Sequence, residues 1–126
     1  RPYSAAAIDQ QDRIVLGSSA KGIAIPKLGT GTWAWGDQSV WGYGGYDKGL
    51  TQDSIAEAFK ASVDAGVDFF DTAEVYGMGL SEKILGALLK DLPTAQRQSV
   101  TVASKFYPVD PASSLPRVRF PQDLLS

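Results

Sequence analysis

The sequence contains neither cysteine nor histidine. Without cysteine there is no disulfide framework and no thiolate nucleophile, so a cross-linked secreted scaffold and a cysteine hydrolase both drop out. Without histidine the commonest general base and the commonest metal ligand disappear together, and the Ser-His-Asp arrangement with them. No metal site is expected. An excess of charge is also lacking, since 12 Lys and Arg stand against 14 Asp and Glu, a formal net charge of −2. No basic cluster neutralises a run of phosphates or an anionic lipid surface, so nucleic acid is not an expected partner. No apolar run approaches the roughly 18 residues that cross a bilayer, so no transmembrane segment is expected.

What is present suffices for one folded domain. Over 126 residues, 44% of the side chains are apolar and 21% charged, which is enough to build a core and too few charges for compositional disorder. Residues 1–12 show no period and read as an N-terminal arm, residues 13–106 as the folded body, and residues 107–126, with Pro108, Pro111, Pro116 and Pro121, as a Pro-rich C-terminal tail. The sequence opens on Arg1 and not Met, so a removed organellar targeting segment is one expectation and a shortened start the other.

Within the body, two short apolar runs at 13–16 and 23–25 flank Gly17, Ser18, Ser19 and Lys21 and predict a hairpin. Residues 27–33 read as the first buried strand, with Gly29 and Gly31 marking close approaches to the backbone. A Gly-, Trp- and Tyr-rich loop follows over 35–50. Thr51 is a plausible N-cap, Ile55, Phe59 and Val63 repeat at helical spacing, and Gly66 stops that helix. Residues 67–72 predict a second strand. Ser81 is read as the cap of a second helix whose Ile84, Leu85, Leu88 and Leu89 form its buried stripe before Pro93, and 100–106 as a third strand. The order is an α/β one: a hairpin, then a parallel βαβαβ unit.

The polar residues worth naming gather at one end of that framework. Asp71 closes the second strand, Tyr76 lies in the loop after it, and Lys105 lies near the end of the third. Parallel strand ends share one face, where such folds build their sites. A buried ammonium beside a phenol favours the phenolate, and a carboxylate keeps the ammonium charged and oriented. Such a tyrosine can give a proton to a carbonyl oxygen as hydride reaches the carbon. A structural Asp–Lys pair beside a packed Tyr is the other reading, and spacing alone leaves both open.

The stretch Gly66-Val67-Asp68-Phe69-Phe70-Asp71-Thr72-Ala73-Glu74-Val75-Tyr76-Gly77, followed by Gly79, Ser81, Glu82 and Gly86, closely resembles the aldo-keto reductase signature. Leu28-Gly29-Thr30-Gly31-Thr32-Trp33 resembles the first strand of the same family, and Val102-Ala103-Ser104-Lys105 the third. The resemblance covers residues 13–106 and implies a partial (β/α)8 TIM barrel, about three of its eight β/α units. It implies Tyr76 as proton donor with Asp71 and Lys105 as its charged supporters, and Gly31, Thr32 and Trp33 beside the nicotinamide of NADPH. Trp33, Trp35, Trp41, Tyr43 and Tyr46 would lie in or next to a loop over a small carbonyl substrate, packing within the loop or a partner contact being the alternative. Glu74 is read as solvated, and Ser81 and Glu82 as a helix start.

The family's tetrad also has a histidine, at the end of its fourth strand, beyond the last residue of this sequence. Most of the family's cofactor contacts lie beyond it as well, so the stretch alone is not expected to be active. Three strands do not close a barrel, and the open sheet needs a cover. Three expectations compete: the sequence is part of a full NADPH-dependent reductase whose C-terminal portion completes the barrel, or it is a shortened, non-catalytic subunit docked on a protein partner in a larger complex, or a second polypeptide completes the barrel. The branch it resembles occurs in bacteria and plastids, so plastid and cytoplasm are both expected compartments.

Overall fold

The computed structural model describes residues 12–18 and 20–106 of the chain; the Pro-rich tail, and the arm short of Asp12, lie outside the described residues. Strands β1 (Arg13–Leu16) and β2 (Ile23–Pro26) pair antiparallel, with Ile14 opposite Ile25, as the two apolar runs predict. Arg13 fastens this hairpin to the body. Its guanidinium donates to Asp68 Oδ1 at 2.6 Å, in a pair whose side chains are 11% and 8% exposed.

Three short strands follow, β3 (Thr30–Gly31), β4 (Phe69–Asp71) and β5 (Thr101–Ala103), in a parallel sheet of order β3-β4-β5. Phe70 pairs with Thr30 on one side and Val102 on the other; Asp71 pairs with Gly31 and Ala103. All three are shorter than the stretches the sequence predicts. Regular pairing stops where the chain turns toward the site loops, although single rungs continue: Thr32 N–H donates to Asp71 O at 2.9 Å, Thr72 N–H to Ala103 O at 2.8 Å, and Glu74 N–H to Lys105 O at 2.9 Å. These rungs fix the strand-end loops to one another.

Helix α1 (Gln52–Asp64) begins with a reciprocal cap, Thr51 Oγ1 accepting from Ser54 N–H at 3.2 Å and Ser54 Oγ from Thr51 N–H at 2.9 Å. It ends at Ala65, with Gly66 in the left-handed region. Helix α2 (Leu80–Asp91) starts from Gly79, so Ser81 is not its cap but lies inside its first turn. A short helix α3 (Thr94–Ser99) follows Pro93; its polar sequence carries no periodic signal, and the sequence reading misses it.

The core lies between the sheet and the helices. Phe70 is fully buried under Ile55, Phe59 and Val63 of α1 and Ile84 and Leu85 of α2. Its ring is 5.0 Å from Phe59 and 6.1 Å from Trp35. Burial of each large side chain contributes roughly 1.5–3 kcal/mol, which is what orders the short strands. The architecture is an arc of a (β/α)8 barrel, an open parallel sheet with helices on one side. Val102, directly opposite Phe70 in the ladder, is 41% exposed because no described helix covers that end of the sheet.

Candidate active site

Lys105, Asp71 and Tyr76 meet at the strand ends. The Lys105 ammonium donates to both oxygens of Asp71, at 2.8 and 2.9 Å, and to the Thr72 carbonyl at 2.8 Å. Its three protons therefore have three acceptors, and the charge is pinned in place. The same nitrogen lies 5.4 Å from the centroid of the Tyr76 ring. The sequence reading expected a buried lysine, and the structure departs from it: the Lys105 and Asp71 side chains are 53% and 46% exposed, since no described helix covers this end of the sheet. So exposed an ion pair adds little to stability; what it does is hold a positive charge beside a phenol.

Trp33 stacks on Tyr76, the ring centroids 5.8 Å apart and the planes 18° from parallel, and Trp41 meets Trp33 edge-on at 5.9 Å. Both indoles are half-exposed. The other loop aromatics divide. Trp35, read from the sequence as a loop residue over a substrate, is in the core, 6% exposed, against Phe59 and Phe70. Tyr43 packs on the edge of the same core, while Tyr46 is exposed and its hydroxyl donates to Val40 O within the loop. The reason is local geometry: the chain turns at residues 33–34, which sends two indoles two residues apart in opposite directions.

Sequence reasoning passed over Asp37, which organises that loop. Its Oδ1 accepts from Val40 N–H at 2.8 Å, Ser39 N–H at 2.9 Å and the Ser39 hydroxyl at 3.1 Å, and its Oδ2 from Trp33 Nε1–H at 3.3 Å. The Val40 amide foremost, with Ser39 and the Trp41 amide, holds its carboxyl below the ordinary Asp value against the opposing effect of burial. Asp followed two residues later by Ser is a turn signal that points to this role.

Thr32 is likewise not available to a cofactor. It is fully buried and its hydroxyl lies 3.1 Å from Asp71 O and 2.8 Å from Ser81 Oγ, while Ser81 donates to Thr32 O at 2.7 Å. Thr72 Oγ1 adds a contact to Ser81 Oγ at 3.3 Å. Three buried hydroxyls thus staple the ends of β3 and β4 to the first turn of α2. The spacing of Thr32, Thr72 and Ser81 within the signature was the available signal, but it gives no direction for a hydroxyl.

Between β4 and α2 a 3₁₀ turn (Tyr76–Gly79) has Gly77 and Met78 both at φ 56°. A Cβ on Gly77 would stand 2.6 Å from the Gly36 carbonyl oxygen, so glycine lets the two site loops touch. Beside them opens a cleft of about 440 Å³ lined by Gln38, Ser39, Val75, Gly77 and Met78 among others, with Tyr76 and Lys105 outside it. Tyr76 and Lys105 lie at the strand ends beside it. The backbone at Gly31 is open, with nothing within 4 Å of where a Cβ would be, and Trp33 is half-exposed. Gly29, by contrast, is filled by the Phe69 ring at 2.5 Å from its Cβ position.

Residues 27–119 match the Aldo/keto reductase family. The chain belongs to that family. An uncharacterized oxidoreductase of Mycobacterium tuberculosis is 44% identical over 88 residues, covering 69% of this chain and 24% of that protein. The chloroplastic pyridoxal reductase of Arabidopsis thaliana is 36% identical over 90 residues, 67% of this chain and 24% of its own length. A solved thermostable aldo-keto reductase, in complex with the inhibitor epalrestat, aligns with a TM-score of 0.53 at 28% identity over 75% of this chain and 31% of the other. The chain therefore spans about a quarter of the length of these curated aldo-keto reductase relatives. Members of the family are oxidoreductases that work with NAD(P)H.

Proposed function

We propose that the intact protein bearing this sequence reduces the carbonyl group of a small aldehyde or ketone, with NADPH as the preferred reductant. The observation that carries this reading is the Lys105 ammonium, bound to both oxygens of Asp71 and 5.4 Å from the Tyr76 ring. The nucleotide, when bound, supplies hydride to the carbonyl carbon. Gly31 and Trp33 are the residues of this chain suited to lie against it. Tyr76 gives its hydroxyl proton to the carbonyl oxygen as negative charge gathers there. Lys105 stabilises the phenolate left behind, and Asp71 with the Thr72 carbonyl keeps the ammonium from having to reorganise. The indoles of Trp33 and Trp41 offer an apolar wall to the organic part of the substrate.

In the intact protein, Tyr76→Phe is expected to lower kcat by roughly 10²–10⁴-fold while NADPH still quenches protein fluorescence as before. Turnover at the unsubstituted rate would reject the assignment. Repeating the titration with NADH ranks the two nucleotides, and tighter NADH binding would reverse the stated preference. The likeness to a chloroplastic relative supports a plastid location. A fluorescent fusion of the complete gene product checks it, and diffuse cytoplasmic signal would contradict it.

A further inference from the structure

Asp37 makes more hydrogen bonds than its turn requires. The three that end on Oδ1, from Val40 N–H, Ser39 N–H and the Ser39 hydroxyl, all lie within three residues and hold the turn. Oδ2 reaches back instead to the Trp33 indole N–H, at 3.3 Å. Trp33 is 47% exposed, and the rings of Tyr76 and Trp41 touch it without enclosing it, so a polar anchor adds to what packing fixes. A buried carboxylate, itself held by the Ser39 and Val40 bonds, offers the indole edge a fixed acceptor. The indole face then lies nearly parallel to the Tyr76 ring, which is the ring 5.4 Å from the Lys105 ammonium.

We propose that Asp37 is a positioning residue for Tyr76: its Oδ2 sets the plane of the Trp33 indole, and the indole sets the phenol ring beside the Lys105 ammonium. The consequence for turnover rests on Tyr76 being the proton donor; the positioning itself does not.

The test is a cycle of Asp37→Ala, Trp33→Phe and both together in the intact protein, read by near-ultraviolet circular dichroism and by carbonyl reduction. Asp37→Ala is expected to reduce the Trp–Tyr dichroism to the level of Trp33→Phe and to lower kcat roughly ten-fold. In the Trp33→Phe background the same substitution should add nothing, because the link it removes is already gone. Asp37→Asn keeps the Oδ1 acceptor that the turn uses but sets an NH2 donor against the Trp33 N–H, so it should lose both signals as Asp37→Ala does, and Ser39→Ala, which strips a bond from Oδ1 only, should leave both as they were. Fully additive losses would overturn the proposal by showing that Asp37 acts on the loop at large. An unsubstituted protein that reduces no carbonyl would reject the proposed function, with the dichroism cycle still deciding the positioning. Reduction that persists alongside unchanged dichroism in Asp37→Ala would reject the positioning and leave the function standing.

Discussion

Asp37 holds its own turn through Oδ1 and the Trp33 indole through Oδ2, and both sets of bonds favour its ionised form. Because its folded pKa lies below its unfolded one, the carboxylate contributes its full stabilisation above the ordinary Asp value of 3.8 and loses it as pH falls through the depressed folded value. Trp33 emission, taken as the difference between the unsubstituted protein and Trp33→Phe, is therefore expected to stay level from neutral pH down to that value and to change only below it. Asp37→Asn should remove the step; a transition near neutrality would contradict the assignment. At this scale the sequence was informative about residue types and silent about direction. It named Trp33 and Trp35 alike, and the turn between them put one on the Tyr76 ring and the other in the core. It named Thr32 as a cofactor neighbour, and the structure commits every polar group of that residue to its own framework.

Among the elements, α1 was the most legible, because the Thr51 cap, a clean four-residue apolar repeat and the stop at Gly66 all give the same answer. The strands were legible in place and order but not in length. An extended apolar stretch counts as strand only where a neighbour's backbone meets it, and no local pattern records that. Helix α2 shows the opposite case. Ser81 has the chemistry of an N-cap and the sequence reads it as one, yet the helix starts at Leu80, and its hydroxyl is spent on Thr32 and Thr72. Ser81→Ala should therefore cost more than a lost cap hydrogen bond on the surface, about 1–3 kcal/mol, since it strips a partner from buried hydroxyls. Urea unfolding measures this, and an unshifted midpoint would show that the staple contributes nothing.

At the scale of the whole molecule, what stands out is an arc of barrel whose interior and edges face outward. β3 and β5 are both edge strands among the described residues, and Ile14, Val15, Leu16 and Ile23 of the hairpin are all exposed. The hairpin is held by the Arg13–Asp68 pair, nearly buried, with an additional bond from Arg13 to Ala24 O at 3.3 Å. Arg13→Ala leaves a carboxylate without its counter-charge in a site of low exposure. A loss of roughly 2–3 kcal/mol is expected, together with faster amide exchange in β1 and β2. Adding Asp68→Asn should recover part of it, and a single substitution with unchanged exchange would refute the role.

The sequence by itself determined the family and the order of elements, through the Asp-Thr-Ala…Tyr-Gly…Ser-Glu run, and it brought Asp71, Tyr76 and Lys105 to one rim, because parallel strands all end on the same side. Only the tertiary structure decided which aromatic rings face the site, which hydroxyls are already committed, and that Asp37 reaches Trp33. Those outcomes depend on the side a chain turns toward and on contacts between residues as far apart as Thr32 and Ser81, and such distances are not encoded in any local period.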